Sequence, residues 1–413
     1  MSDVCEAATH DWPRRPVDWS GPSSRCGICS VIALVLTVVA AAALSLPSPA
    51  AASALVTPIA VTVLNRPNPV LGADHRHHLV YELKVANLGS DAVTVDSVQA
   101  RAGGKPFGAR LEGRRLAANF RLDNLGTGTT MQPGVGATIF MDVTYGARSR
   151  PPAALTHRFV VTVRDPSGAK PSRQLSFTGV RTPVYQGEAI EVASPLRGKR
   201  WLVGNGCCGI TAHSGATLPI DGTIHTPERF AIDFVQLNAH RRLFSGPKNK
   251  LSSYAFYGAR IHAVADGTVV GIQGGLRDQT PGAFPAHPTI QTAGGNYVVE
   301  RIGDHRYAFY AHMQPGSLRV KKGDRVRTGQ VIGLLGNSGN SDAPHLHFHL
   351  MDSPSPLKSN GLPFTFKSFK GQGVVEDEAP VFAGDPAPIN RNRFAGPHRD
   401  QLPLNDQLVD LGR

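Results

Sequence analysis

His345-Leu346-His347-Phe348-His349-Leu350 is the stretch that decides how this chain is read. On an extended strand, side chains alternate between two faces. His345, His347 and His349 therefore share one face, and Leu346, Phe348 and Leu350 share the other. Three imidazoles on an apolar-backed strand form a prepared surface for metal binding or acid/base chemistry. Burying so many without partners is costly, which weighs against a purely structural role.

The surrounding sequence supports this surface. Upstream, Gly323-Asp324-Arg325-Val326-Arg327-Thr328-Gly329-Gln330-Val331-Ile332-Gly333 runs on to Gly336-Asn337-Ser338-Gly339-Asn340. These read as short strands around tight glycine turns, holding a loop close to the histidine strand. Arg306-Tyr307-Ala308-Phe309-Tyr310-Ala311-His312 reads as a further strand with His312 at its end. A rigid element of this kind suits a working side chain. Residues 257–270 read as a strand-turn-strand unit.

Residues 55–190 have a different character. Leu79, Tyr81, Leu83 and Val85 alternate with Val80, Glu82, Lys84 and Ala86. The same period recurs at residues 139–145 and 159–164, with turn signals between. The pattern predicts an immunoglobulin-like β-sandwich acting as a packing, spacing or binding module. Asp74-His75-Arg76-His77-His78 lacks ligand spacing and reads as a solvated loop. Beyond Glu376 the chain turns Pro-rich and polar without a sustained period, so residues 376–413 are expected to be an irregular or disordered tail.

At the other end, residues 31–46 form an uncharged apolar run, shorter than the ~20 residues of a typical membrane span. Ala52-x-Ala54 follows as a signal-peptidase-like site. Residues 1–54 are expected to be a signal peptide or N-terminal membrane anchor, and the protein to be exported. The 413-residue chain carries 43 Lys and Arg against 31 Asp and Glu, a net charge of +12. Without residues 1–54 the balance is 40 against 27, or +13. Outside the cell, nucleic acid is an unexpected partner; an anionic cell-wall polymer or membrane surface is the expected one. Five Cys in so long a chain exclude a disulfide-dense miniprotein. Cys207 and Cys208 are adjacent, and either a vicinal disulfide or two thiols is compatible with the sequence.

The pieces "AVADGTVV", "GGNYVVE", "FYAHM", "KKGDRVRTGQVIGLLGNSG" and "HLHFH" together resemble the lysostaphin/LytM-type zinc metalloendopeptidases. The resemblance covers residues 195–365 and implies an all-β chain. Its sandwich would be followed by a lysostaphin-type (duplicated hybrid motif) antiparallel β-sheet domain over residues 191–375. It also implies a secreted endopeptidase that hydrolyses peptide bonds in bacterial peptidoglycan with zinc as cofactor. Carried over by motif, Asp233 and His347 are zinc ligands. His345 orients or deprotonates the attacking water, and His312 stabilises the transition state.

The family's other ligand is a His four residues before the Asp, where this chain has Arg229. A guanidinium has no lone pair to offer a metal. His213, His225 and His240 are the candidates for the vacant corner, and His213 is preferred because a Gly-rich segment can fold it back over the groove. The alternative is a non-catalytic domain that binds cell wall or activates a partner hydrolase. His349 stands where the family commonly has Glu. Residues 237–253 and 274–294 are expected to wall the groove, the first bringing Arg241, Arg242, Lys248 and Lys250.

Overall fold

Alternating apolar positions build two packed sheets at the N-terminal end. The computed structural model describes residues 55–285 and 289–412. The expected signal segment lies outside them. Strand Arg76–Ala86 pairs antiparallel with Gly136–Gly146 in one sheet. Strand Ala154–Arg164 pairs with Ala92–Ala102 and Arg173–Pro183 in the other. Leu79, Tyr81, Leu83 and Val85 point between the sheets and join a core with Val161, Phe159 and Ile139. The opposite face of Arg76–Ala86 is also covered: Val80 belongs to the core of the following domain, and Glu82 is 1% exposed. A strand with both faces buried lies against something, and here that is the histidine-bearing domain. His78, read as part of a solvated loop, is on this strand and buried.

The second domain is organised by one long antiparallel sheet. Its central order is Asn296–Gly303, Arg306–Met313, Leu346–Met351, Ile232–Gln236, Gly198–Gly204, Gln407–Leu411 and Phe369–Val375. Leu346, Phe348 and Leu350 are fully buried in its core, as the alternation predicts. Each contributes roughly 1.5–3 kcal/mol of apolar burial. The other face carries the histidines. Register places Asp233 opposite His347, and His347 opposite Ala311, so Asp233 and His347 share one face with the small Ala311 beside them.

The all-β expectation holds: the described residues contain only two short α-helices, Gly113–Ala118 and Ala379–Ala383, and one 3-10 turn. None of them is long and apolar enough to cross a membrane.

The expected irregular tail is corrected. Gln407–Leu411 is a strand of the main sheet, paired on one side with Gly198–Gly204 and on the other with Phe369–Val375. Leu408, Val409 and Leu411 are buried there. A five-residue strand has little local signal, and its partner some 200 residues upstream supplies the stability.

Candidate metal centre and groove

The centre is built around the Asp233 carboxylate. His213 Nε2 lies 3.1 Å from Oδ2, His347 Nδ1 3.0 Å from Oδ1, and His345 Nε2 3.4 Å from Oδ1. Asn205 Nδ2 donates to Oδ2 at 2.9 Å. Ligand atoms of His213, Asp233 and His347 all lie within 4.8 Å of one another. His225 and His240 are not in this group. His225 is on the short hairpin strand Thr223–His225 with both ring nitrogens buried and unpartnered; His240 is on an exposed turn.

Backbone carbonyls fix which nitrogen of each imidazole is free. His213 Nδ1 is 3.0 Å from Asn205 O and 3.2 Å from Ala231 O. A carbonyl only accepts, so Nδ1 carries a hydrogen; Nε2 faces Asp233, donating to it while the ring is protonated and offering a lone pair once the ring is neutral. His345 Nδ1 donates to Ala343 O at 2.8 Å, leaving Nε2 toward the centre. His312 Nδ1 donates to Ser338 O at 2.7 Å, leaving its Nε2 free. The His312 and His345 rings pack against each other at a 48° tilt, with centroids 4.5 Å apart.

His312 has φ +61°, a left-handed conformation that costs a non-glycine residue about 1–3 kcal/mol and recurs at functional sites. The loop that supplies Ser338 O depends on Gly339, also left-handed. A Cβ there would lie 2.2 Å from Gly295 N.

The charges around this site are unusual. Burial alone would raise the Asp233 pKa, but the charges of His213 and His345 hold it well below the usual carboxylate range. Burial would depress His213, yet the charge and hydrogen bond of Asp233, with Glu228 beyond, push it up to about 9. Burial, with the charges of His345 and His347, holds His312 well below the ordinary imidazole range. Three imidazole nitrogens crowding one carboxylate call for a shared cation, either a proton or a metal. Two neutral histidines and a carboxylate match the donor set of a catalytic zinc site.

The histidine face carries supporting groups whose roles the sequence did not show. His349 Nδ1 is 2.9 Å from His347 Nε2, and the buried His349 Nε2 has no partner. For His347 to offer Nδ1 to a metal, its Nε2–H must be donated to His349. His349 thus sets the His347 tautomer needed for that role. Glu228 stands 4.0 Å from His347 Nε2. Asn205 and the carbonyls of Ala231, Ala343 and Ser338 carry no recognisable sequence signal.

Cys207 and Cys208 form a disulfide at the start of the loop that carries His213. The Cys207 carbonyl accepts from Asn405 N at 2.8 Å, tying this loop to the C-terminal segment.

Beside the centre lies a groove of about 570 Å³. Its apolar wall includes Phe284 and Ile290 from residues 274–294, as expected, and Phe382 from the C-terminal segment. Its charged lining is Glu228, Asp233, Asp342 and Glu378, with no Lys or Arg among the described residues. The expectation for residues 237–253 is corrected, since none of them lines the groove. Arg242 instead bonds Gly384 O and lies 3.7 Å from Asp385, and Lys248 donates to Phe382 O. That loop packs against the C-terminal segment, which takes its place as the groove wall.

Residues 251–359 match Peptidase family M23. The matched stretch contains His312, His345 and His347 and lies downstream of His213 and Asp233. Glycyl-glycine endopeptidase ALE-1 of Staphylococcus capitis is 42% identical over 82 residues, covering 19% of this chain and 22% of that protein. Peptidoglycan DD-endopeptidase ShyA of Vibrio cholerae serotype O1 is 42% identical over 65 residues, covering 16% and 15%. The chain thus spans about a fifth or less of the length of these relatives. Among solved structures, the catalytic domain of lysostaphin from Staphylococcus simulans aligns at 25% identity and a TM-score of 0.23, over 40% of this chain and 88% of that one. The histidine strand and its supporting turns lie within the stretch that matches Peptidase family M23.

Proposed function

We propose that this protein is an exported, zinc-dependent endopeptidase that hydrolyses peptide bonds in bacterial peptidoglycan. The observation that carries the reading is the convergence of His213 Nε2, Asp233 and His347 Nδ1 beside two histidines whose free nitrogens face the same space. His213, Asp233 and His347 would hold the metal, with the carbonyls of Asn205 and Ala231 and the His349 ring orienting the donors. When bound, zinc supplies Lewis acidity to the scissile carbonyl and to the attacking water.

The chain's own groups define the rest of the chemistry. His345 Nε2 is a lone pair held by the Ala343 carbonyl, the arrangement of a general base. His312 Nε2 is likewise an acceptor while the ring is neutral, and burial keeps it neutral. His312 can therefore donate to a developing oxyanion only after it has taken a proton. Together they form a relay: one ring accepts the proton of the nucleophile, and the adjacent pair delivers it to the leaving amine. The likeness to the peptidoglycan DD-endopeptidase ShyA supports peptidoglycan as the substrate class, and the likeness to the glycyl-glycine endopeptidase ALE-1 supports peptide-bond hydrolysis. The apolar run at residues 31–46 supports export.

The test is zinc content of the purified full chain together with amine release from peptidoglycan. Stoichiometric zinc with release that a chelator abolishes is expected. A chain without zinc and without released amines is instead the non-catalytic wall-binding or hydrolase-activating protein.

A further inference from the structure

Arg229 occupies the position where the sequence resemblance expects a metal ligand, and its side chain points away from the centre into the sandwich. Its Nε donates to Glu82 Oε1 at 2.7 Å and its Nη2 to Glu82 Oε2 at 2.5 Å. The pair is bidentate and almost wholly buried, with side-chain exposures of 4% and 1%. Nη2 also reaches Thr226 Oγ1, which accepts a second bond from Asn65 Nδ2 at 2.9 Å. Glu82 and Asn65 belong to the sandwich, so two of its side chains grip one turn of the peptidase domain. Gly361 closes that turn from the other side: its N–H donates to Thr226 O at 2.9 Å, and a Cβ there would lie 2.6 Å from Pro227 O.

The gripped turn runs directly into the centre. Glu228 faces the groove and His347. The Ala231 carbonyl orients His213, and Asp233 is the carboxylate around which the imidazoles gather. Losing one member of a buried ion pair leaves an uncompensated charge, which drives the turn to move until that charge meets water. Such a move would carry all three groups with it.

We propose that Glu82 is a positioning residue for the metal centre. Acting through Arg229, it fixes residues 226–233 and so makes the sandwich an integral part of the catalytic unit, not a detachable binding module. The metal readout below rests on the zinc reading given above; the exchange readout does not.

The full chain carrying Glu82→Gln tests this, because the substitution keeps the shape and removes the charge. In the chelator-treated protein, hydrogen exchange over residues 226–236 is expected to quicken about ten-fold, with strand Ala154–Arg164 unchanged. Zinc affinity, measured by competition with a chromophoric chelator, is expected to fall about ten-fold. On peptidoglycan, kcat falls while KM stays within two-fold. The double variant Glu82→Met with Arg229→Met, which removes both charges together, is expected to recover most of the exchange protection and zinc affinity.

Should Glu82→Gln not be recovered folded, Glu82→Asp, which withdraws the carboxylate by one methylene, is read in the same way. A folded variant with exchange and zinc affinity within two-fold of the parent overturns the proposal. If the parent itself binds no zinc, the functional reading fails, and the exchange result alone decides the role of Glu82.

Discussion

His213 Nε2 lies 3.1 Å from Asp233 Oδ2, although the two residues come from different kinds of structure: a glycine-rich loop and a central strand. The loop is held by Thr211 Oγ1 on Asn205 O and by Ser214 Oγ on Gly209 O, so the histidine is fixed before any ligand arrives. His213→Ala is therefore expected to abolish zinc binding and peptidoglycan hydrolysis. His225→Ala is expected to leave both within two-fold, because His225 is outside the donor group. Metal analysis of the two purified variants checks this, and the opposite pattern would remove His213 from the site.

The orientation of His347 depends on its neighbour two residues along the strand. For Nδ1 to offer a lone pair to a metal beside Asp233, His347 must carry its hydrogen on Nε2 and donate it to His349 Nδ1. Loss of such a supporting partner typically weakens metal affinity 10–100-fold. His349→Ala should show about this loss in a chelator competition. His349→Gln, whose side-chain oxygen can accept the same hydrogen bond, should recover part of it. Equal affinities for alanine and glutamine would mean that His349 only fills space.

How much of this was legible in the sequence depends on distance along the chain. The histidine strand was readable because three imidazoles and three apolar residues alternate within six positions, and its glycine turns lie just upstream. His213 was reachable only as a choice among three, since its partner Asp233 is twenty residues away across irregular backbone. Glu82 was not legible at all. On a sandwich strand it looked like an outward-facing charge, and only the docked peptidase domain turns that face into an interior. Arg229 was visible as an anomaly without an explanation, because its partner lies 147 residues away. Gln407–Leu411 was hidden for the same reason: its pairing is entirely non-local.

A second contact on the same sandwich strand makes stability depend on pH. His78 donates to Asp142 at 3.0 Å and approaches Asp74 at 3.1 Å. Burial would depress its pKa, but the hydrogen bonds and charges of Asp142 and Asp74 outweigh it and raise the value to about 9. A raised folded-state pKa means that the folded chain binds the proton more tightly than the unfolded one. The resulting stability is full below the unfolded value near 6.5 and is lost as pH rises through about 9. Its size is on the order of 3 kcal/mol for a shift of this kind. Denaturant unfolding at pH 6 and pH 10 should show this loss in the parent and a much smaller one in His78→Asn. Identical slopes in the two proteins would sink the assignment.

The groove makes a prediction about substrate charge that runs against the chain as a whole. The protein is strongly basic, yet Glu228, Asp342 and Glu378 line the groove and no described Lys or Arg does. Oppositely charged lining selects partners more through charge complementarity than through contact area. A peptide bearing a free amine should therefore be cleaved with a lower KM than the same peptide acetylated at that amine. Glu378 is the residue to change, because it enters from the C-terminal segment and is not a donor of the metal group. Burial and its hydrogen bond with Asp406 raise its pKa to about 7. Its negative charge, and with it the preference for the amine, should grow as pH rises through 7. Glu378→Gln should raise KM for the free amine about three- to ten-fold at pH 8, leave the acetylated peptide unaffected, and flatten the pH dependence of the ratio. A variant that shifts KM equally for both peptides would show that Glu378 shapes the groove without reading charge.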